Sequence, residues 1–234
     1  MIAKETLQPT ELRPGWEQSV RPPDSPRIWL VRTRAFQPVV DRRAETVLDE
    51  AEKTRAARFR RTDDRDTYRA GHTALRLLLG AYLSTPPESL DLTRLPCPTC
   101  QEPHGRPVVR GNPLHFSLSH GDGLCLLAFA RTPVGVDVEK IPTLDLADEV
   151  VETLHPQEIA ELEAYAPETR PQAFARVWTR KEAYLKGLGT GLGRAPSLDY
   201  LGTAPDEPTA PEGWTINDIA VGETHAAALA VEAR

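Results

Sequence analysis

The chain has 234 residues, 40% hydrophobic and 26% charged, with a formal net charge of −6: enough for a full core in one large or two small domains, and too acidic, without interleaved exposed aromatics, for a nucleic-acid binder. Three cysteines, an odd number, argue against a disulfide scaffold and fit a reducing compartment. The longest apolar runs, such as residues 124–130, are strand-sized and far below a bilayer span, and the first residues lack the apolar centre of a signal peptide, so a cytoplasmic protein free of the membrane is expected.

Residues 1–27 contain five prolines and no periodic pattern and are expected to form a mobile or extended lead-in. A first strand starts at Ile28-Trp29-Leu30-Val31, and helical stretches are predicted near 44–58 and 64–83. Strands follow near 114–119, 124–130 and 134–139, and helices from about 145 to 188. The chain closes on Trp214 to Val221, a Gly222-Glu223 turn and Ala226 to Val231, which read as a hairpin. This hairpin echoes the 114–130 stretch, a faint sign of two similar halves.

Two acidic motifs stand out. In Gly135-Val136-Asp137-Val138-Glu139 the valines alternate with Gly, Asp and Glu, so the two carboxylates leave one face of a buried strand. A D-x-E pair on a strand commonly faces solvent. Two like charges in a partly dry site, however, need a cation, and oxygen ligands on rigid backbone suit Mg2+. The second motif lies on a helix from about Pro171 to Leu188 whose apolar stripe is Phe174, Val177, Trp178, Leu185 and Leu188. Glu182 sits at the edge of that stripe with Lys186 one turn further on the same side. Trp178 reads as a core anchor, Arg180 as a surface residue in a helix salt bridge, and Gly187 to Gly193 as a glycine-rich end that permits positive φ.

Together, the GVDVE pentapeptide, the spacing from Phe174 to Lys186, the trailing GLGTGL and the upstream Phe116-Ser117-Leu118-Ser119-His120 resemble the 4'-phosphopantetheinyl transferases, over roughly residues 28–231. The single-chain length points to their Sfp-like branch. That resemblance implies an α/β (α+β) fold, a pseudo-dimer of two similar α/β halves with the active site in the cleft between them. Residues 28–133 would form the half on the CoA 3'-phosphate and nucleotide side, and 134–234 the half that carries the metal and the catalytic groups. Charge is sorted the same way: residues 1–133 carry 20 Lys/Arg against 16 Asp/Glu, and 134–234 carry 8 against 18.

The reaction so implied moves 4'-phosphopantetheine from coenzyme A to a serine of an apo acyl or peptidyl carrier protein and releases adenosine 3',5'-bisphosphate. Asp137, Glu139 and Glu182 are the implied ligands of Mg2+, or of Mn2+. Glu182, Lys186 and Asp137 are the implied catalytic residues, with Glu182 the candidate base and Lys186 the residue that offsets charge on the leaving phosphate. Ser119, His120, Arg106 in a Gly-Arg-Pro loop, Lys181 and Lys186 are the implied cofactor contacts. Among eight basic residues between Lys53 and Arg76, Lys53, Arg58, Arg65 and Arg69 are candidates for the 3'-phosphate, with a solvated helix face accounting for several of them.

Carrier docking is implied over Ile141 to Leu162, with Leu144, Leu146, Val150 and Leu154 as apolar contacts or as ordinary helix core. A monomer is expected from the two-half resemblance. The acceptor's pathway, whether fatty-acid, polyketide or nonribosomal-peptide synthesis, is left open. Two rival readings remain, a metal-dependent CoA or nucleotide phosphohydrolase and a noncatalytic CoA- or carrier-binding module. Finally, Cys97, Cys100 and His104 put three zinc-type ligands in one short loop with no fourth adjacent, which leaves both idle thiols and an accessory zinc open.

Overall fold

The computed structural model describes residues 6–13, 16, 20, 23–205 and 208–233. The strands are β1 (Thr10–Glu11), β2 (Arg27–Arg32), β3 (Leu92–Arg94), β4 (Pro107–Val109), β5 (His115–Gly121), β6 (Leu124–Ala130), β7 (Val134–Lys140), β8 (Trp214–Asp218) and β9 (His225–Glu232). The helices are α1 (Thr33–Val47), α2 (Glu50–Ala57), α3 (Thr62–Leu83), α4 (Leu144–Val150), α5 (Pro156–Glu163) and α6 (Arg170–Leu188). One sheet runs β1-β2-β6-β5, a second runs β7-β9-β8, and β3 and β4 form a separate pair. In each large sheet the order β2-β6-β5 or β7-β9-β8 is that of first, third and second strand, with helices between first and second.

Period-two alternation explains the layering. On β2, Trp29 and Val31 enter the core shared with α1 and α3, while Ile28 and Leu30 enter a core between the sheets. Strand β6 is buried on both faces: Cys125, Leu127 and Phe129 face the helices, and Leu124, Leu126 and Ala128 face Val134, Val136 and Val138 of β7. The other face of the second sheet carries Ile216, Ala228 and Ala230 against Ala183 and Tyr184 of α6. The result is a helix–sheet–sheet–helix stack.

The helix expected near 44–58 is two helices, and the first reaches back to Thr33. Leu48 is extended (ψ 137), and Asp49 and Glu52 form a reciprocal capping box that starts α2 afresh. Parts of the 1–27 lead-in lie outside the described residues; the rest is extended but firmly partnered. Leu7 bridges Ile219, Thr10 and Glu11 pair with Trp29 and Leu30, and Leu12 and Trp16 are buried. No helix among the described residues is long and apolar enough to cross a membrane.

Candidate active site

Strand β7 delivers its carboxylates to α6. Val134, Val136 and Val138 point into the inter-sheet core, so Gly135, Asp137 and Glu139 take the opposite face. Gly135 lets the helix lie directly on the strand, since a Cβ there would stand 1.9 Å from the Ala183 carbonyl oxygen. On β5, Phe116 and Leu118 face the first core, which turns Ser117 and Ser119 towards β7. The Ser117 hydroxyl accepts from the Val136 N–H (3.1 Å) and ties the two sheets together.

At this seam Ser119 Oγ donates to Asp137 Oδ1 (2.7 Å), and the Lys186 ammonium donates to Asp137 Oδ1 (2.6 Å) and to Ser119 Oγ (3.0 Å). Asp137 is 1% exposed, and its second oxygen, Oδ2, is buried without a partner. Glu182 is half-buried, one turn before Lys186, and Glu139 lies at the exposed rim. Desolvation and then the neighbouring Asp137 charge raise Glu182 above the usual carboxylate range, and Lys186 opposes them. The same two causes, with Glu182 and Asp122 adding and Lys186 opposing, push Glu139 up to about 7. Burial alone would lower Lys186, but Asp137, Glu182 and Glu139 outweigh it and hold the ammonium above its ordinary range. Three carboxylates thus share one cation, and each would gain from another.

Ser119, Glu139 and Lys186 of this cluster open onto a cleft of about 810 Å3 lined also by Arg55, Tyr68, His72, Arg94, Arg106, His120 and Gly189. One wall is aromatic: Tyr68 stacks on His72 (4.0 Å between centroids) and meets His120 edge-on (5.8 Å). Burial, then His72 and Lys186, push His120 down to about 4, so it is neutral at physiological pH. Below this wall His72 Nδ1 lies 2.9 Å from Glu52, which also accepts from the fully buried Arg76. Arg106 donates to the Gly187 carbonyl (2.9 Å) and packs against Gly189, so the loop before β4 is fastened to the end of α6.

Of the candidate residues, Glu139, Lys186, Ser119, His120 and Arg106 line one cleft, and Asp137 and Glu182 lie beside Lys186. Lys53, Arg58, Arg65 and Arg69 do not line the cleft: Lys53 pairs with Glu50, Arg58 caps α2, Arg65 lies against Asp66, and Arg69 faces Glu45 of α1. Their helical phase explains it, because Tyr68 and Glu52 turn inward and leave these cations outside. Arg55 of α2 and Arg94 of β3 line the cleft instead. Neither was a candidate, and the i,i+4 pair Tyr68 and His72 was the available signal for the inward face of α3.

Lys181 is also corrected. It is 2% exposed and bonded to Glu158 (2.7 Å) and to the carbonyls of Pro196 (2.9 Å) and Asp199 (2.5 Å), so it pins α5 and the following loop to α6. Arg180, expected on the surface, is wholly buried with a two-pronged contact to Asp218 and further bonds to the Gly202 and Ala204 carbonyls. Trp178 does stack on Phe174 in the core that α4, α5 and α6 share. Of the apolar residues expected at a docking surface, Leu154 is 1% exposed and belongs to that core, whereas Leu146 is 52% exposed.

Comparison with known proteins agrees with this geometry. Residues 133–226, which include β7 and α6, match the model of the 4'-phosphopantetheinyl transferase superfamily. The chain is 32% identical over 194 residues to the 4'-phosphopantetheinyl transferase HetI of Nostoc sp., covering 79% of this chain and 78% of that protein. It is 38% identical over 137 residues to the 4'-phosphopantetheinyl transferase AcpT of Salmonella typhi (56% and 65% covered), and 30% over 131 residues to gsp of Aneurinibacillus migulanus (55% and 51% covered). The rival readings as a phosphohydrolase or a binding module find no support among these relatives. With most of HetI's length matched at this identity, this chain belongs to the 4'-phosphopantetheinyl transferases.

Proposed function

We propose that this transferase uses Asp137, Glu139, Glu182 and Lys186 to move the 4'-phosphopantetheine arm of coenzyme A onto a serine hydroxyl of an apo acyl or peptidyl carrier protein. The observation that carries the residue roles is the unpartnered, buried Asp137 Oδ2 beside two carboxylates whose proton affinity is raised. A buried oxygen without a partner is costly unless a cation takes it. Hard oxygen donors of this kind suit Mg2+, with Mn2+ as the nearest substitute. Asp137, Glu139 and Glu182 would hold it, and when bound it neutralises charge on the diphosphate of CoA.

The protein's own groups supply the rest. The serine oxygen forms a bond to the phosphorus that bears pantetheine, the bond to the bridging oxygen breaks, and adenosine 3',5'-bisphosphate leaves with that electron pair. Glu182 accepts the serine proton, directly or through a water molecule. Lys186 has three N–H donors; Asp137 and Ser119 take two, and the third serves a phosphate oxygen of the leaving group. Arg55, Arg94 and Arg106 are the cleft cations for the 3'-phosphate end, and neutral His120 with Tyr68 offers the nucleotide a flat surface. Both halves contribute to one cleft within one chain, which supports action as a monomer. Leu146, the exposed apolar residue of α4, is the proposed carrier contact.

Intact-mass spectrometry tests this. An apo carrier protein incubated with enzyme, CoA and Mg2+ should gain about 340 Da, the mass of one phosphopantetheine adduct, and EDTA should abolish the gain. Asp137→Ala and Glu182→Gln should stay folded and lose most transfer. Wild-type turnover by Asp137→Ala would overturn the assigned roles, and CoA breakdown without an adduct would restore the hydrolase.

A further inference from the structure

Strands β3 and β4 are joined by a twelve-residue loop, 95–106, with almost no apolar packing of its own. Apart from Cys97 and Gly105 its residues are exposed or half-buried. Its one fully buried side chain is a thiol, Cys97, at 0% exposure. The sulfurs of Cys97 and Cys100 and a ring nitrogen of His104 all lie within 4.8 Å of one another, and Cys100 Sγ is 2.9 Å from His104 Nε2. Adjacent ligands of a tetrahedral zinc stand about 3.5–3.8 Å apart, as Zn–S and Zn–N bonds of about 2.3 and 2.0 Å require. An ion therefore fits with side-chain adjustments well under an ångström or two.

The backbone is shaped for the same purpose. The Cys97 N–H donates to the Glu102 carbonyl (2.8 Å), the Gln101 N–H to the Cys97 carbonyl (2.8 Å) and the His104 N–H to the Glu102 carbonyl (2.8 Å). Gln101 accepts the left-handed conformation (φ 66) to close this knuckle. Two thiolates and an imidazole select a soft or borderline ion over Mg2+.

We propose that Cys97, Cys100 and His104 bind one zinc ion, with water in the fourth position on the exposed side, and that the ion cross-links this loop internally at the rim of the cleft. His104 and Arg106 both line that cleft, and Arg106 reaches Gly187 from the loop's far end. The ion joins residue 97 to residue 104 and so limits where Arg106 lies. This site is separate from the carboxylate cluster and does not depend on the roles assigned there.

The full chain, expressed in zinc-supplemented medium and purified without chelator, should carry one equivalent of zinc by mass spectrometry. Replacement by Co2+ should give a sulfur-to-cobalt charge-transfer band. Cys100→Ser and His104→Asn, at exposed positions that spare the fold, should drop the zinc to background and abolish the band. A zinc-selective chelator should speed tryptic cleavage after Arg94 in the wild type and leave the variants unchanged. Wild-type protein without zinc or cobalt above background would overturn the proposal, as would full zinc retained in Cys100→Ser. A Cys97–Cys100 disulfide in freshly purified protein would overturn it too.

Discussion

Replacing Gly135 by alanine tests how closely the acidic strand and α6 must meet. A Cβ at residue 135 stands 1.9 Å from the Ala183 carbonyl oxygen and 2.4 Å from the Gly187 nitrogen, where ordinary contact begins at 3.4 Å. Both obstacles are backbone of α6, so no rotamer relieves them and the helix must withdraw by about 1.5 Å. Lys186, now 2.6 Å from Asp137, then lies about 4 Å away, beyond hydrogen bonding. Overpacking of this kind costs about 1–3 kcal/mol, or roughly 3–10 °C of melting temperature in a chain of this size. A displacement of that order at reacting groups costs about 100-fold in turnover. Gly193→Ala is the control, because a Cβ there meets nothing within 4 Å. Thermal melts and carrier loading followed by intact mass give both readouts. If Gly135→Ala melts and turns over like Gly193→Ala, the helix does not rest on the strand as described.

The remaining predictions concern binding, pH and stability. Arg55→Ala should raise the KM for CoA about 10-fold or more, as expected for losing a charge-assisted phosphate contact, with little change in kcat; Arg69→Ala, facing Glu45, should change neither. The reverse ranking in steady-state kinetics would return the 3'-phosphate to the outer face of α3. His120 titrates near 4 in the folded protein against 6.5 when exposed, so the unfolded chain binds the extra proton and stability falls as pH drops through that window. The loss approaches about 3 kcal/mol at its acid end, and His120→Asn should flatten that part of a melting-temperature profile between pH 4 and 7; an unchanged slope would refute the assignment. Arg180→Met should cost about 3–5 kcal/mol in urea unfolding, because it breaks a buried ion pair with Asp218 and removes the donor to two carbonyls, and a near-neutral result would contradict its burial. Leu146→Ser should raise the KM for the carrier protein while leaving that for CoA alone, and equal effects on both would remove α4 from the docking surface.

Local pattern determined a good deal about this protein. Period-two alternation through Val134, Val136 and Val138 is enough to send Asp137 and Glu139 to one face, and the 3.6-residue repeat sets Glu182 and Lys186 on one edge of α6. Strands β5, β6, β7 and the closing pair β8 and β9 were legible for the same reason, as was helix α6 to within a residue. What the sequence did not decide was which charged residues meet across the fold. Arg180 and Lys181 have the composition of a surface helix, yet they are buried because Asp218, Glu158 and carbonyls of the 196–204 stretch converge on them. Arg55 rather than Lys53 reached the cleft because a capping box at Asp49 sets the start and phase of α2. The clustering of Cys97, Cys100 and His104 depended on a left-handed residue and three backbone bonds in a loop without periodicity. Periodic burial is a property of neighbours along the chain, whereas ion pairing, clefts and ligand clusters depend on distances between segments that only the packed structure sets.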